Sequence, residues 1–257
     1  MDVEIDVSKT VEQNAAKYYE EAKKYRKKIE GLKKAIESTK RLISEAKEKE
    51  QQKTAVKKHS REKEWFEKYH WMNASGRLVI GGRDAKTNET LVKKYMEAND
   101  LFFHSDVHGA SAVIVKDGQS LDDDSLKYVA QFAGSFSSAW KEGRGTVDVY
   151  CVKPEQVKTS AKSGEYLAKG SFVIAGERKY FKNVELSLAL TFENGKLVIK
   201  PPALAKGKKV IIRPDAKKTK GESSKFVFKK LKEIFPEEEF DVNWVQELLP
   251  NGGSRVS

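Results

Sequence analysis

The stretch that decides the fold is Leu101-Phe-Phe-His-Ser-Asp-Val-His-Gly-Ala-Ser111. Its apolar, β-prone start at residues 101–103 predicts a buried strand, and the apolar run at 112–115 predicts a second one. If the first strand continues, the side chains of His104, Asp106 and His108 lie on one face, because side chains alternate along a strand. The pattern therefore indicates a buried scaffold that presents a polar site. A His/Asp pair that is simply satisfied in a turn is the alternative.

The distribution of charge points to a class of partner. The 257 residues carry a formal net charge of +11; residues 8–69 hold +8 of it and residues 200–257 hold +5, while residues 70–199 are almost neutral. Excess positive charge on two flanking segments favours a polyanionic partner, nucleic acid first and an anionic membrane second. A well-solvated, lysine-rich surface is the alternative.

Composition excludes several classes of protein. No apolar run reaches the ~20 residues of a membrane-spanning helix, and the N-terminus lacks the basic-then-apolar order of a secretory signal. The single cysteine, Cys151, can form no internal disulfide and fits a buried thiol in a reducing compartment. A zinc-finger spacing is impossible. We therefore expect a cytoplasmic protein that needs no cofactor, metal or membrane partner.

Residues 1–69 are expected to form a coiled-coil arm after a short leading strand at 3–7. Thr10 and Gln13 fit a capping box at the helix start, and only Gly31 weakens a proline-free stretch from residue 8 to residue 69. Such a helix would be roughly 90 Å long. Its heptad seam consists of Val11, Ala15, Tyr18, Ala22, Tyr25, Ile29, Leu32, Ile36, Thr39, Ile43 and Ala46.

The seam needs a partner helix. A second copy of the chain, a helix from sequence not present here, or a hairpin bend at Gly31 could supply it. We favour the second, with the chain as the C-terminal part of a longer protein.

Residues 70–200 are expected to form a mixed α+β domain, preceded by the aromatic run 65–71 that anchors the arm. A tight turn with two glycines, Gly81 and Gly82, precedes a helix and is a weak phosphate-binding signal. Helices are predicted at 85–95 and 122–141, and strands at 77–80, 146–153, 171–174, 184–192 and 197–200. The loop 157–166 is small, polar and basic, which suits phosphate contact.

Residues 201–257 are expected to form a basic extension that packs on this domain. A strand is predicted at 210–213, a basic amphipathic helix at 223–235 and a short helix at 242–249. Lysines that follow an RNA backbone are one use of such a segment, and a solvated surface is the other.

Six motifs occur in order along the chain: WFEKYHW (65–71), LVIGGRD (78–84), NETLVKKY (88–95), FHSDVHGAS (103–111), SSAW (137–140) and SGEYLAKGSF (163–172). Together they resemble the NFACT-R domain, the RNA-binding module of the RqcH/NEMF proteins of ribosome-associated quality control. The preceding helix resembles the second coiled-coil arm of those proteins, and the ending at 248–254 resembles archaeal members. The resemblance implies an α+β domain on a coiled coil that acts on large ribosomal subunits carrying a stalled peptidyl-tRNA. It also implies recruitment of aminoacyl-tRNA, which extends the nascent chain without mRNA, usually with alanine.

We therefore predict a non-enzymatic RNA-binding module whose partners are tRNA, the large ribosomal subunit and a coiled-coil helix. An RNA-processing enzyme that uses His104, Asp106 and His108 as metal ligands or as acid and base is the second interpretation. A structural protein that recruits partners through its coiled coil is the third. The candidate RNA-binding residues are Arg83, Asp84, His104, Asp106, His108, Ser111, Lys158, Lys162, Tyr166, Lys206, Lys208 and Lys209.

Overall fold

The structure, a computed structural model, describes residues 4–54, 64–159 and 170–257, with the backbone alone from 42 to 54. The chain divides into two compact units, Met1–Glu62 and Lys63–Ser257. Helices and antiparallel sheets follow the first long helix, so the predicted α+β class is confirmed. No helix in the described part of the chain is both long and apolar enough to cross a membrane.

The first unit is built on helix α1, Val11–Thr54. Its predicted capping box is present: the Thr10 N–H donates to Gln13 Oε1 (3.1 Å) and the Gln13 N–H donates to Thr10 Oγ1 (3.2 Å). The helix passes through Gly31 without a break, so the predicted hairpin alternative is wrong. Residues 55–63 lie outside the described residues, and residues 65–68 form turns where the arm was expected to remain helical.

The predicted leading strand is also wrong over its described part, residues 4–7. Here the backbone folds onto the start of α1, because the buried Asn14 amide exchanges two hydrogen bonds with the N–H and C=O of Asp6, both 3.0 Å long. Backbone groups that a strand would pair are thus satisfied locally. Large apolar residues of the predicted seam remain exposed on α1, namely Val11, Tyr18, Tyr25, Ile29, Leu32 and Ile36.

A six-stranded antiparallel sheet is the centre of the second unit. Its strand order is β1-β2-β4-β3-β5-β8. The strands are β1 (His70–Ala74), β2 (Arg77–Gly81), β3 (Leu101–Ser105), β4 (Val113–Val115), β5 (Thr146–Val152) and β8 (Lys179–Glu185).

A second antiparallel sheet of four strands has the order β10-β9-β11-β12, and a small two-stranded sheet pairs β6 with β7. The strands are β6 (Val157–Lys158), β7 (Val173–Ile174), β9 (Leu188–Glu193), β10 (Lys196–Lys200), β11 (Val210–Pro214) and β12 (Ser254–Val256). The helices of this unit are α2 (Ala85–Lys94), α3 (Asp123–Ser135), α4 (Ser138–Lys141), α5 (Lys220–Ile234) and α6 (Val242–Leu248), with 3-10 turns at Gly118–Ser120 and Pro154–Gln156.

One continuous core joins the two sheets. Helix α3 packs on β3, β5 and β8, and Trp140, fully buried, donates from its indole N–H to the carbonyl of Gly253 (3.1 Å). The apolar faces of α5 and α6 belong to the same cluster as the strands of both sheets. Burial of this apolar surface is the main stabilising term.

Two predicted elements are each divided in the structure. The helix expected at 122–141 breaks after Ser135, where Phe136 leaves helical geometry (φ −97°, ψ +45°) and the Ser137 hydroxyl donates to the carbonyl of Gly134 (2.7 Å). The strand expected at 184–192 is interrupted at residues 186–187, so that β8 pairs in one sheet and β9 in the other.

The Asn88 side chain explains why position 82, one of the two glycines before α2, is a glycine. Its Nδ2 donates to the carbonyl of Ala110 (3.3 Å), and its Oδ1 accepts from the N–H of Ala112 (3.0 Å). A Cβ on Gly82 would lie 2.0 Å from Asn88 Oδ1, so only glycine fits there. These two hydrogen bonds connect α2 to the segment between β3 and β4.

We predict that Asn88→Ala lowers the free energy of unfolding by about 2–3 kcal/mol, because it leaves buried backbone groups of residues 110 and 112 without partners. Urea denaturation monitored by circular dichroism measures this loss. The control Asn99→Ala removes an exposed amide and should stay within about 0.5 kcal/mol of the unsubstituted protein. Similar losses in both variants would contradict this role.

Candidate nucleic-acid interface

The predicted alignment of His104, Asp106 and His108 on one strand face is wrong, because β3 ends at Ser105. Asp106 lies in a bend and His108 in the turn that Gly109 completes with a φ of +76°. Both side chains are exposed, and the carbonyl of His108 accepts from the Ser138 hydroxyl (2.7 Å). Only His104 remains within the strand.

The His104 ring lies on the sheet face opposite α3. It stacks parallel to Phe102, with ring centroids 6.2 Å apart, and lies 5.9 Å from the ring of Tyr150. Burial lowers the pKa of His104, while the nearby Asp106 carboxylate opposes this shift and the Arg178 guanidinium adds to it. The imidazole is therefore favoured in its neutral form.

Next to His104, two tyrosine rings each have a cation above one face. The sequence did not predict this arrangement. The Arg178 guanidinium lies 4.6 Å from the centre of the Tyr150 ring, and the Lys182 ammonium lies 4.4 Å from that of Tyr180. Tyr180 is 40% exposed. We call Tyr150, Arg178, Tyr180 and Lys182 the aromatic–cation face. The alternation of Tyr180 and Lys182 could have revealed it, had strand β8 been recognised.

Carboxylates partly neutralise the aromatic–cation face. Asp106 lies 4.0 Å from Arg178, and Asp148 forms a 2.8 Å ion pair with Lys182. The pKa of Asp148 is lowered mainly by its hydrogen bond from Lys182. This face therefore offers aromatic surface and directed N–H donors rather than a large excess of positive charge.

Arg83 contacts different residues from those that His104 and Asp106 contact. Its Nη2 donates to the carbonyl of Tyr69 (3.3 Å), whereas its buried Nε has no hydrogen-bond partner among the described residues. Burial lowers the pKa of Arg83, and the Glu247 charge opposes that shift. Burial lowers the pKa values of His70 and Lys220, and the Arg83 charge adds to both shifts.

Asp84 and Ser111 have structural contacts. Asp84 is the N-cap of α2: its Oδ1 accepts from the N–H of Thr87 (2.8 Å), and this bond is the main cause of its lowered pKa. The buried Ser111 hydroxyl donates to the carbonyl of Gly82 (2.6 Å). Both residues hold the turn before α2 in place, and these contacts leave the Asp84 carboxylate exposed.

The candidate lysines differ in what they contact. Lys158, Lys206 and Lys208 are exposed and form no ion pair with any described residue, whereas Lys209 donates to the carbonyls of Pro202 and Ala205, each 2.8 Å away. The candidates Lys162 and Tyr166 lie outside the described residues.

An RNA-processing enzyme would need metal ligands, or an acid and a base, close to one another. Within residues 4–41, 64–159 and 170–257, no three His, Cys, Asp or Glu side chains are placed so that they could hold a metal ion. The Asp106 charge acts on the pKa of His104, and the Arg178 charge acts on it in the opposite direction; Arg178 lies 4.0 Å from Asp106.

Comparisons with known proteins agree with the family resemblance found in the sequence. Residues 65–176 match the family described as "NFACT protein RNA binding domain". The chain is 43% identical over 208 residues to "Archaeal Rqc2 homolog aRqcH" of Methanocaldococcus jannaschii, an alignment that covers 78% of this chain and 30% of that protein. It is 34% identical over 142 residues to "Ribosome quality control complex subunit NEMF" of Homo sapiens, covering 54% of this chain and 13% of the human protein. The chain thus spans less than a third of the length of these relatives.

Acidification should destabilise the protein through His70. This ring stacks on Phe136 (3.9 Å between centroids), and burial, followed by the Arg83 and Lys220 charges, lowers its pKa well below 6.5. Below about pH 6.5 the unfolded chain therefore binds a proton that the folded chain does not bind. Stability is lost as the pH falls, by up to about 1.4 kcal/mol per pH unit for one such group.

We predict that His70→Gln reduces the loss of unfolding free energy between pH 7.5 and pH 5.5, measured by urea denaturation at each pH. The control His108→Gln changes an exposed ring and should keep the original pH dependence. An unchanged pH dependence in His70→Gln would assign the loss to other groups.

Proposed function

Because the chain carries an NFACT RNA-binding domain and belongs to the RqcH/NEMF family, in its archaeal-like form, we propose that it is the RNA-binding part of a ribosome quality control factor. The module binds tRNA and the large ribosomal subunit in the cytoplasm, performs no chemistry itself, and serves a protein that acts on stalled large subunits and on tailing of the nascent chain. The names of its relatives support the ribosomal setting.

The observation that carries this proposal is the match of residues 65–176 to an RNA-binding domain. Those residues include β1 to β7 and helices α2 to α4. The aromatic–cation face adds a physical means of binding, since an exposed tyrosine ring can stack on a base and a guanidinium can contact a phosphate.

Four exposed lysines support salt-dependent binding to an RNA backbone. Lys206 and Lys208 lie in the turn between β10 and β11, and Lys225 and Lys229 lie one turn apart on α5. None of the four forms an ion pair with a described residue. A lysine without a carboxylate partner releases counterions when it meets a phosphate, and affinity then falls as salt rises.

The exposed apolar stripe of α1 supports a partner helix. Tyr25, Ile29, Leu32 and Ile36 are all more than half exposed, and a helix with such a stripe gains stability by burying it. We propose that this partner is a helix from the rest of a longer protein, with a second copy of the chain as the alternative.

We predict that changing Lys206, Lys208, Lys225 and Lys229 together to Gln weakens binding to tRNA and to large subunits by about tenfold or more at low salt, and that it reduces the salt dependence. Filter binding across a series of KCl concentrations measures both. The matched control changes four lysines that already form ion pairs, Lys93, Lys127, Lys179 and Lys230. It removes the same charge, so an equal loss would indicate that only net charge matters. Absence of binding by the unsubstituted chain would refute the proposed function.

A further prediction concerns the aromatic–cation face. Tyr180→Ala should weaken binding to single-stranded RNA by ~1–3 kcal/mol, the usual loss for one stacked base, with little change in unfolding free energy because the ring is partly exposed. Tyr180→Phe keeps the ring and should bind as the unsubstituted protein does. Equal binding by all three proteins in a fluorescence anisotropy titration would place the bases elsewhere.

A further inference from the structure

Two carboxylates lie beside the cations of the aromatic–cation face, and they differ in how far their oxygens are used. Asp148 uses both: Oδ2 forms the 2.8 Å ion pair with Lys182, and Oδ1 accepts from the N–H of Asn183 (2.8 Å). The Asp106 carboxylate accepts no hydrogen bond from any residue in the described part of the chain. Its side chain is 49% exposed, and the Arg178 guanidinium stays 4.0 Å away, which is too far for a hydrogen bond.

Arg178 brings unused hydrogen-bond donors next to this carboxylate. Its guanidinium lies 4.6 Å from the centre of the Tyr150 ring and donates no hydrogen bond within residues 4–41, 64–159 and 170–257. A guanidinium that pairs fully with a carboxylate does so through two parallel N–H donors at about 2.7–2.9 Å. At 4.0 Å, Arg178 and Asp106 stop short of that pairing. The face therefore presents acceptors and donors side by side.

The backbone that carries each group is held in place. The Asp106 N–H donates to the carbonyl of Asp148 (2.8 Å), directly beyond the paired part of β3 and β5. In the turn 175–177, just before Arg178, two carbonyls accept from the Gln156 side-chain amide (3.0 and 2.7 Å). The positions of donor and acceptor thus follow from bonds made elsewhere, so both groups keep their own bonding capacity.

The alternative is that Asp106 only balances the charge of Arg178. An ion pair gains most from the closed, bidentate geometry that these two side chains do not adopt. An open carboxylate beside exposed cations also repels the phosphates of an approaching strand. Hydrogen bonds from a base to the carboxylate would offset that repulsion, since a base carries donors and no negative charge.

Guanine is the base whose edge matches an adjacent carboxylate and guanidinium best. Its Watson–Crick edge carries two neighbouring donors, N1–H and N2–H, beside the acceptor O6. A carboxylate can accept from both donors, and an arginine can donate to O6 or N7. Adenine and cytosine offer the carboxylate one amino group, and uracil offers it one N–H. Guanine therefore forms the largest number of hydrogen bonds with such a pair.

We propose that Asp106 and Arg178 bind the edge of an unpaired guanine base, which makes the aromatic–cation face selective for guanine. The Tyr180 ring, 40% exposed and 5.9 Å from the Tyr150 ring, provides an adjoining surface for base stacking. This inference rests on the proposed RNA-binding function and adds a specific base to it. Asp106 is then a specificity-determining residue, whereas the exposed lysines contact phosphates of any sequence.

The first arm of the test measures the binding of the full chain to short, fluorescently labelled uridine RNAs by anisotropy. Their single central base is guanine, inosine, adenine, cytosine or uracil, so all carry the same phosphates. We expect the guanine RNA to bind about tenfold or more tightly than the adenine RNA, as is usual for a bidentate base contact. Inosine lacks only the N2 amino group and should bind with intermediate affinity. Equal affinity for guanine and adenine, or for guanine and inosine, would overturn the proposal.

Asp106→Asn removes the carboxylate and keeps the size of the side chain. We expect the guanine-to-adenine affinity ratio to fall to about one, with no loss of affinity for the adenine RNA. The control Asp124→Asn removes the same charge from an exposed ion pair with Lys127 and should keep the original ratio. If Asp106 only balanced Arg178, its substitution would raise affinity for every RNA alike and leave the ratio unchanged, which would overturn the proposal.

Arg178→Lys keeps the positive charge and removes the planar set of donors. We expect it to lower the guanine-to-adenine ratio, whereas Arg144→Lys, at an exposed arginine paired with Glu142, should not. This second pair of variants tests the site even if Asp106→Asn fails to fold. An unchanged ratio in Arg178→Lys would overturn the contact between Arg178 and the base.

The second arm measures binding of the unsubstituted chain to tRNA and to large subunits. Binding to these partners with no preference among the short RNAs would overturn the guanine site alone. A guanine preference that depends on Asp106, without binding to tRNA or large subunits, would refute the proposed function and support the guanine site. Absence of binding to every RNA would overturn both.

Discussion

The side-chain amide of Asn88 is the contact on which the candidate sites depend. It bonds to the backbone of residues 110 and 112 and lies directly under Gly82. Through these contacts, α2, the end of β2 and the segment between β3 and β4 keep one arrangement. Arg83, Asp84 and Ser111 all lie on the segments that this amide joins, so their positions depend on one buried polar network.

Local chemistry made parts of this fold predictable. The strands at β3 and β4 followed from short apolar runs, and the start of α1 followed from the reciprocal pairing of Thr10 and Gln13. Most of strand β8 was missed, since the strand predicted at 184–192 covers only its last two residues, because its residues are mostly exposed and are held by pairing with the neighbouring β5. Strand prediction from sequence depends on a regular alternation of buried and exposed side chains, and in β8 only Phe181 and Val184 are partly buried against the core.

The candidate site was less predictable than the fold, because it depends on contacts between residues far apart in sequence. His104 and Asp106 were identified from one motif, but their partner Arg178 lies just before β8. The double glycine suggested a phosphate loop, whereas the structure accounts for Gly82 by the close approach of Asn88. Composition gave the sign of the charge but not which lysines already have carboxylate partners.

Strand β8 also limits how short a fragment of this domain can be if the fragment is to keep a complete sheet. The match to the RNA-binding domain family ends at residue 176, yet β8 begins at Lys179 and supplies the sixth strand of the sheet, paired along β5. A fragment that ended at the family boundary would expose one edge of β5 and invite association between molecules. It would also lose the second sheet and α5, whose apolar side chains complete the common core. The smallest autonomous folding unit is therefore larger than the segment 65–176 that matches the RNA-binding domain family.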